Sequence, residues 1–323
     1  MQNPIDMKNP IDLKILGPGQ NWLKIGSMLA LGLDGYYSPL PKGSTVSVVT
    51  SDPGPTCTDA PRLVAEGRYH MAITTPVWYG RMAMEGKGFF DRPLPIRAIA
   101  AFPHDDRLVF AVKEETGIRS LRQLVDEQRP LKVSTPTPEM RHPAGIVADE
   151  VLKLYGGSLA HLERWGGKIL RDRPRNQNAP GSVPVDPGFD AIFDEAIMTN
   201  RWKRLTQTYN LRFLPVDEDV LDALTVRGMK RGTLARGRFR GVEADVPALD
   251  FSGWLLFCHA GLPDELAYLT AAALEEQLDN IHALFPDPSS GLTGKIKMSE
   301  ACRAVDMPLH PGAEAYYREK KHL

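Results

Sequence analysis

The sequence predicts an α/β protein of two lobes, each a mainly parallel sheet flanked by helices, and three observations carry that expectation. The first is the stretch 13–33. Leu13, Ile15 and Leu16 make a short apolar run, Gly17-Pro18-Gly19 breaks it, and Trp22, Leu23, Ile25, Met28, Leu29 and Leu33 then recur at roughly helical spacing. The second is repetition of that strand, turn and helix. Residues 45–50 (TVSVVT) alternate small polar and β-branched side chains and lead through a loop with Pro53, Gly54 and Pro55 to a helix beginning near Asp59 or Pro61. Residues 70–75 (HMAITT) then run into Pro76-Val77-Trp78-Tyr79 and a helix carrying Met82 and Met84. The third is that the pattern restarts further on: strand 131–134, the turn Thr135-Pro136-Thr137-Pro138-Glu139, and a helix over about 144–155 that stops at Gly156-Gly157, as a glycine C-cap would make it.

The remaining elements join these units. After a Pro-rich connection at 91–95, strands 96–102 and 108–112 flank Pro103-His104-Asp105-Asp106-Arg107, where the chain is expected to cross into the second lobe. A short helix follows at 117–124. Residues 171–188, rich in Arg, Pro, Asn and Gly, read as an irregular surface excursion. Strand 189–193 ends in Asp194-Glu195 and leads to a helix carrying Trp202, and 211–216 brings the chain back. Strand 251–259, a helix over 264–285 and a last helix near 313–320 complete the first lobe. This gives lobe I as 1–102 with 217–323 and lobe II as 103–216, with hinges at the two crossovers and a ligand cleft between the lobes. No repeat of solenoid period is visible.

Composition excludes several function classes. The chain has 323 residues, 42% hydrophobic, which is enough for two ordinary cores. Its 39 basic residues balance 40 acidic ones, which argues against a surface built for nucleic acid or anionic membrane. Cys57, Cys258 and Cys302 are odd in number, far apart and without a CxxC pair, so each reads as a small buried apolar side chain. The N-terminus repeats Asn-Pro-Ile-Asp at 3–6 and 9–12 but has no apolar segment of secretory type, and no window reaches the ~18 apolar residues of a membrane helix. As written, the expectation is a cytoplasmic protein not embedded in a membrane; a signal removed before this numbering would make it periplasmic.

The chemistry of the turns points to an anion. A strand that turns through glycine into a helix aims free backbone N–H groups at whatever sits beyond the sheet, and the helix dipole favours negative charge there. Strand ends at Gly17, Ser51 and Thr75 lie side by side if the βα units share one parallel sheet, and ligands of open α/β sheets bind outside such ends. The expected ligand-binding residues are therefore Gly19, Gln20, Asn21, Trp22, Ser51, Asp52, Thr75 and Trp78 in the first lobe, with Thr135, Thr137 and Asp194 in the second. Trp22, Trp78 and Tyr79 stand where an aromatic wall belongs, with core packing as the alternative for the tryptophans. Asp194 and Glu195 suit orientation of a ligand amine or hydroxyl, or a general acid, against helix capping for Asp194.

Other patterns resolve to blander readings. Gly17-Pro18-Gly19 begins like a dinucleotide fingerprint, but Trp22 occupies the third glycine's place. The basic run 227–240 has Phe239 as its one interleaved aromatic and reads as a solvated hairpin rather than a nucleic-acid contact. His104-Asp105-Asp106 with His142 lack the spacing of a zinc motif, so no metal and no cofactor are expected.

A family resemblance rests on particular segments: the glycine turn after the first strand, Leu63-Val64-Ala65-Glu66-Gly67-Arg68-Tyr69-His70-Met71-Ala72-Ile73, and Phe110-Ala111-Val112-Lys113 followed by Gly117-Ile118-Arg119-Ser120-Leu121. Gly237-Arg238-Phe239-Arg240-Gly241 and Ala260-Gly261-Leu262-Pro263 add to it. The strongest segment is Pro308-Leu309-His310-Pro311-Gly312-Ala313-Glu314-Ala315-Tyr316-Tyr317-Arg318-Glu319. Together they resemble the TAXI branch of TRAP-transporter solute-binding proteins, thinly over most of the chain. The resemblance implies a type II periplasmic-binding-protein (Venus flytrap) fold, capture of a small carboxylate or aromatic acid, and delivery to a TRAP membrane permease, with His310 in a structural role. Two departures stand out. Ser51-Asp52-Pro53-Gly54-Pro55-Thr56 and Thr135-Pro136-Thr137-Pro138-Glu139-Met140-Arg141-His142 replace glycine-rich turns of the family, and proline has no N–H to donate, so the anion cradle is expected to be partly rebuilt from side chains. The alternative is an enzyme on the same fold, similar to cytoplasmic aromatic-acid decarboxylases, with Glu139, His142, Asp194 and Glu195 as candidates for proton transfer. A ligand-reporting sensor is a third option.

Overall fold

The computed structural model describes residues 7–34, 40–50, 56–170, 188–196, 200–288 and 291–323. The chain forms two units, 1–104 with 252–323, and 105–251. The first unit begins with β1 (Asp12–Leu16), α1 (Gln20–Leu33), β2 (Thr45–Val49), α2 (Ala60–Ala65), β3 (Met71–Thr74), α3 (Val77–Glu85) and β4 (Ile96–Phe102). The second runs through β5 (Arg107–Lys113), α4 (Leu121–Asp126), β6 (Lys132–Ser134), α5 (Pro143–Leu154), α6 (Leu159–Arg164), β7 (Lys168–Leu170), β8 (Ala191–Glu195), α7 (Asn200–Thr208), β9 (Leu211–Leu214), α8 (Glu218–Val226), β10 (Arg231–Leu234) and β11 (Val246–Asp250). The chain then returns to the first unit with β12 (Trp254–His259), α9 (Asp264–Glu276), α10 (Leu278–Leu284), α11 (Met298–Ala301) and α12 (Pro311–Glu319).

Sheet order in the first unit is β2-β1-β3-β12-β4. β1 runs parallel to both β2 and β3, while β12 is antiparallel to both β3 and β4. The second unit repeats the logic as β7-β6-β8-β5: β6 is parallel to β7 and β8, and β5 is antiparallel to β8. The other edge of β5 is shared, with β9 opposite Phe110–Lys113 and β11 opposite Arg107 and Leu108. In the first unit β1 lies between β2 and β3, and in the second β6 lies between β7 and β8. β12 beyond β3 and β5 beyond β8 are antiparallel and belong to stretches of chain that have just crossed between units. This is the type II periplasmic-binding-protein order, the expected fold class. The expectation of a mainly parallel sheet in each lobe is corrected: both sheets are mixed, and in the second β5 is antiparallel to β8, β9 and β11; the sequence hid this because buried strands of either direction read as the same continuous apolar run.

The second crossing differs from the sequence expectation. Residues 217–251 were expected in lobe I, but β10 and β11 form a hairpin that pairs onto β5, so this stretch belongs to the second unit and the chain returns at Ser252. The signal was hidden because β11 holds Pro247 and β10 is mostly exposed, which weakens the strand pattern. The expected single helix over 264–285 is two helices that meet at Gln277. Of the expected irregular excursion at 171–188, all but Gly188 lies outside the described residues.

Each unit has its own core. Leu13, Ile15, Ile25, Leu29, Ile73, Leu256, Leu266 and Tyr317 are among the side chains of the first. In the second, Trp202 stacks on Phe239 with centroids 5.6 Å apart, Phe239 on Phe213 at 6.0 Å, and Val109, Phe189 and Ile192 pack around them. The three cysteines are buried and form no disulfide. His310 is the N-cap of α12: its Nδ1 accepts the Gly312 N–H at 3.3 Å. A Cβ on Gly312 would stand 1.9 Å from the Asp264 carbonyl oxygen, so the glycine is what lets α12 seat against the start of α9. No described helix is long and apolar enough to cross a membrane.

Candidate functional site

The first unit's candidate corner is built where β1 hands over to α1. Gly17 extends the pairing with β2, donating its N–H to the Val49 carbonyl at 2.9 Å. A Cβ there would lie 2.9 Å from the backbone C and O of Trp22, so glycine is required for the first turn of α1 to fold back over the strand end. Gly19 has φ 153° and ψ 162°, backbone that only glycine adopts without strain. The first bond of α1 runs from Leu23 N–H to the Gly19 carbonyl at 2.8 Å. The N–H groups of Gln20, Asn21 and Trp22 precede it, no side chain caps them, and the first turn carries no acidic residue. The result is an N-terminal turn with its dipole uncompensated by any side-chain cap among the described residues.

Aromatic side chains stand beside this turn. The Trp22 ring meets Trp254 edge-on at 6.0 Å, and Trp254 packs on His104 at 4.7 Å and on Phe285 at 6.0 Å. His104 Nδ1 pairs with the Gly291 carbonyl at 2.7 Å, and Gly291 has φ 129° with Asn21 and Trp254 directly over its Cα. Thus His104, weighed at the sequence level as a metal ligand, is a buried clamp on an aromatic cluster. Among the described residues no group of three or more His, Cys, Asp or Glu is placed to hold a metal ion.

The third strand end is buried and paired. Thr75 is 4% exposed and its hydroxyl donates to the Gly253 carbonyl at 3.1 Å. The expected aromatic wall is corrected at Trp78, which is 1% exposed and packs against Tyr79 in the core, because the turn of α3 on which it lies faces the sheet. Tyr79 is also buried, donates its hydroxyl to the Thr58 carbonyl at 3.1 Å, and burial pushes its phenol well above the ordinary range. Ser51 and Asp52 lie outside the described residues. The structure therefore groups Gly19, Gln20, Asn21 and Trp22 as one corner and leaves Thr75 in a backbone-satisfying role.

In the second unit the equivalent corner follows β6. Thr135 is 1% exposed and Thr137 4%, and the Thr135 hydroxyl donates to the Pro136 carbonyl at 3.0 Å. A one-turn 3-10 helix at Pro138–Met140 exposes Glu139. His142 is the N-cap of α5, its Nδ1 accepting the Ala144 N–H at 3.2 Å. Pairing of Ser134 with Ile192 places Asp194 next to the Thr135–Thr137 turn across the sheet. Asp194 is fully buried and one of its oxygens accepts the Glu195 N–H at 2.9 Å. The Glu195 carbonyl in turn accepts the Trp202 indole N–H at 2.6 Å. Asp194 and the residue after it lie within β8, so Asp194 is not a helix N-cap.

Sequence reasoning missed the role of Arg238. Taken as part of a solvated run, it is 12% exposed at the side chain and ion-paired with the Asp105 carboxylate, and it donates to the Asp105 carbonyl at 2.8 Å and to the Ala196 carbonyl at 3.4 Å. Burial works to raise the Asp105 carboxyl, but Arg238 and Arg107 outweigh it and hold the group below its ordinary value. A signal existed in Phe239, whose apolar neighbour position implies that this part of the run packs inward.

Residues 192–320, under half of the chain, match the NMT1-like family. No curated relative matches the chain. Among solved structures, the chain is similar to a Xanthomonas citri protein bound to chloride ion, at 11% identity over 96% of this chain and 99% of that one, with a TM-score of 0.46. It is also similar to a TctC solute binding protein from Polaromonas (15% identity, 97% and 98% covered, TM-score 0.43). Iron-bound HitA from Pseudomonas aeruginosa aligns at 15% identity over 97% and 99%, with a TM-score of 0.40.

Proposed function

We infer that the chain is a solute-binding protein of TAXI type that captures a small carboxylate or aromatic acid and hands it to a TRAP-type membrane permease, acting in the periplasm. One observation carries the reading: the uncapped N-terminal turn of α1 stands at the carboxyl end of β1, in a sheet of type II order, with Trp22 and Trp254 beside it. Backbone N–H groups at such a turn suit a carboxylate, and the indole rings suit an apolar or aromatic body. The NMT1-like match over 192–320 and the tail segment 308–319 support the same reading. Thr135, Thr137 and Asp194 form a separate candidate set within the second unit.

The test is calorimetric titration of the protein with benzoate, phthalate, glutarate and glutamate, with mass spectrometry of the recovered ligand. Binding of at least one acid, recovered unchanged, is the expected result. Asn21→Asp is the informative variant. It is isosteric and puts a carboxylate in the first helical turn, which favours the helix by about 0.3–1 kcal/mol while repelling an anionic ligand. Thermal stability should hold or rise while affinity falls by roughly tenfold or more, the equivalent of about 1.4 kcal/mol. Conversion of a bound acid, or affinity indifferent to Asn21→Asp, contradicts the proposal.

A further inference from the structure

An edge strand offers unpaired backbone groups to any other chain, and the described edges of this protein are blunted with one exception. In the first unit β4 is covered by the tail of the chain: Ala98 donates its N–H to the Pro308 carbonyl at 3.0 Å, and its carbonyl accepts the His310 N–H at 2.8 Å. In the second unit β7, β9 and β10 carry Lys168, Arg212 and Arg231, and β7 and β10 are only three and four residues long. The exception is β2. It ends the first sheet, holds no charged residue, no proline and no bulge, and is exposed or half-exposed along its whole length.

The phase of the ladder decides which groups β2 leaves over. Thr45 donates its N–H to the Ile11 carbonyl at 2.8 Å, and the Val49 carbonyl accepts the Gly17 N–H at 2.9 Å. Thr45, Ser47 and Val49 therefore turn their backbone groups toward β1, in the register that sets Asp12 beside Thr45 and Leu16 beside Val49. Alternate residues of a strand point N–H and C=O to opposite edges, so Val46 and Val48 aim theirs outward. Among the described residues these four groups take part in no hydrogen bond outside the ladder. The Val46 and Val48 side chains pack on the core of the first unit, which holds the edge in place.

We propose that β2 pairs antiparallel with β2 of a second copy of this chain, about a two-fold axis through Ser47. The argument is complementarity. Residues 44–50 read Ser-Thr-Val-Ser-Val-Val-Thr, so about Ser47 Val46 stands opposite Val48, Thr45 opposite Val49 and Ser44 opposite Thr50. In that register each Val46 exchanges both backbone bonds with Val48 of the other copy, and every outward donor meets an acceptor of opposite partial charge. β-Branched residues face one another and hydroxyls face hydroxyls, pairings that stabilise a sheet. No charge lies within 43–50, so no like charges meet along the pair. The contact is isologous and uses up the open edge, and the covered β4 edge stops further growth, so the assembly closes at two. Five residues span about 17 Å, and a single strand pair buries less than the about 1,200 Å² of a stable complex, so the dimer is weak and forms with concentration. The inference is independent of the ligand-capture reading, since it concerns one edge of the first unit and its test needs no ligand.

Sedimentation velocity of the full chain between about 10 µM and about 1 mM should show monomer passing to dimer. Amide exchange at Val46 and Val48 should slow roughly tenfold over that range, while Ser47, whose amide faces β1, keeps its rate. Ser47 is half-exposed and its hydroxyl bond to the Leu13 carbonyl is long at 3.4 Å, so the fold tolerates substitution there. Ser47→Lys and Ser47→Glu each set like charges face to face at the axis and should stay monomeric, and an equal mixture of the two should dimerise again. A wild-type chain that is monomeric throughout, a dimer indifferent to both Ser47 substitutions, or a mixture that stays monomeric overturns the proposal. So does exchange at Val46 and Val48 that is slow at every concentration, which would mean that the chain's own residues cover the edge.

Discussion

The central strand of each parallel trio, β1 in the first unit and β6 in the second, ends in a turn and a helix, and the two turns are finished in opposite ways. After β1, two glycines lead into α1 with no side-chain cap on its first N–H groups. After β6, threonines and prolines lead through a 3-10 turn into α5, whose first turn is capped by His142 and pressed against the backbone of Pro136. The sheets repeat one topology, so position in the fold does not decide whether a helix terminus is free for a ligand. The local residues decide it, by supplying or withholding an internal acceptor.

The largest effect expected from this contrast is at the glycine inside each corner. In Gly145→Ala the new Cβ would stand 2.5 Å from the Pro136 oxygen and 2.7 Å from its carbon, both backbone atoms that cannot swing aside. Overpacking of this kind should cost about 2–3 kcal/mol, and Gly17→Ala, whose Cβ meets Trp22 backbone at 2.9 Å, about 1 kcal/mol. Urea unfolding followed by hydrogen exchange in each unit measures both. Equal costs would mean that the two corners are packed alike, and the contrast would reduce to capping alone.

A smaller effect isolates the cap. His142→Ala removes the acceptor for the Ala144 N–H and should destabilise α5 by about 1 kcal/mol, the usual worth of an N-cap. Exchange should speed in α5 and stay at wild-type rates in α1. Wild-type stability in this variant would break the claim that the second corner is closed by its own side chain.

The same two corners show how much the sequence reveals and where it stops. The strand, turn and helix at 13–33 were legible because Gly17 and Gly19 are needed for backbone reasons that do not depend on distant residues. The tail motif around His310 was legible for the same reason, since a cap and a close glycine contact are local. Trp78 was misplaced because a tryptophan after a loop proline looks the same whether its turn faces the sheet or the solvent, and tertiary packing settles that. Arg238 was misread because its partners Asp105 and Ala196 are 133 and 42 residues away. The return at 217 failed likewise: β10 and β11 become strands by pairing with β5, and little in their own pattern announces it.

The smallest expected effect comes from acid and separates the units by their titrating groups. His70, His259 and His310, all in the first unit, are lowered below the ordinary histidine value of 6.5, in each case chiefly by burial. Their Nδ1 atoms accept backbone N–H groups of Lys14, Gly261 and Gly312, bonds that a ring protonated at that nitrogen cannot accept. Because the unfolded chain binds protons more readily at these sites, their contribution is complete above pH 6.5 and is lost as pH falls from 6.5 toward the lowered folded values. Asp105 in the second unit, also lowered, contributes fully above its ordinary 3.8 and loses that contribution only in stronger acid. Hydrogen exchange between pH 7 and 5, corrected for intrinsic rates, should therefore show protection falling first in β1, β3 and β12 around these histidines. His70→Gln and His310→Gln should flatten that slope in the first unit and leave the second unaltered. Parallel loss in both units would show that acid acts on groups common to them, and the difference between the two halves would then lie in their corners rather than in their titration.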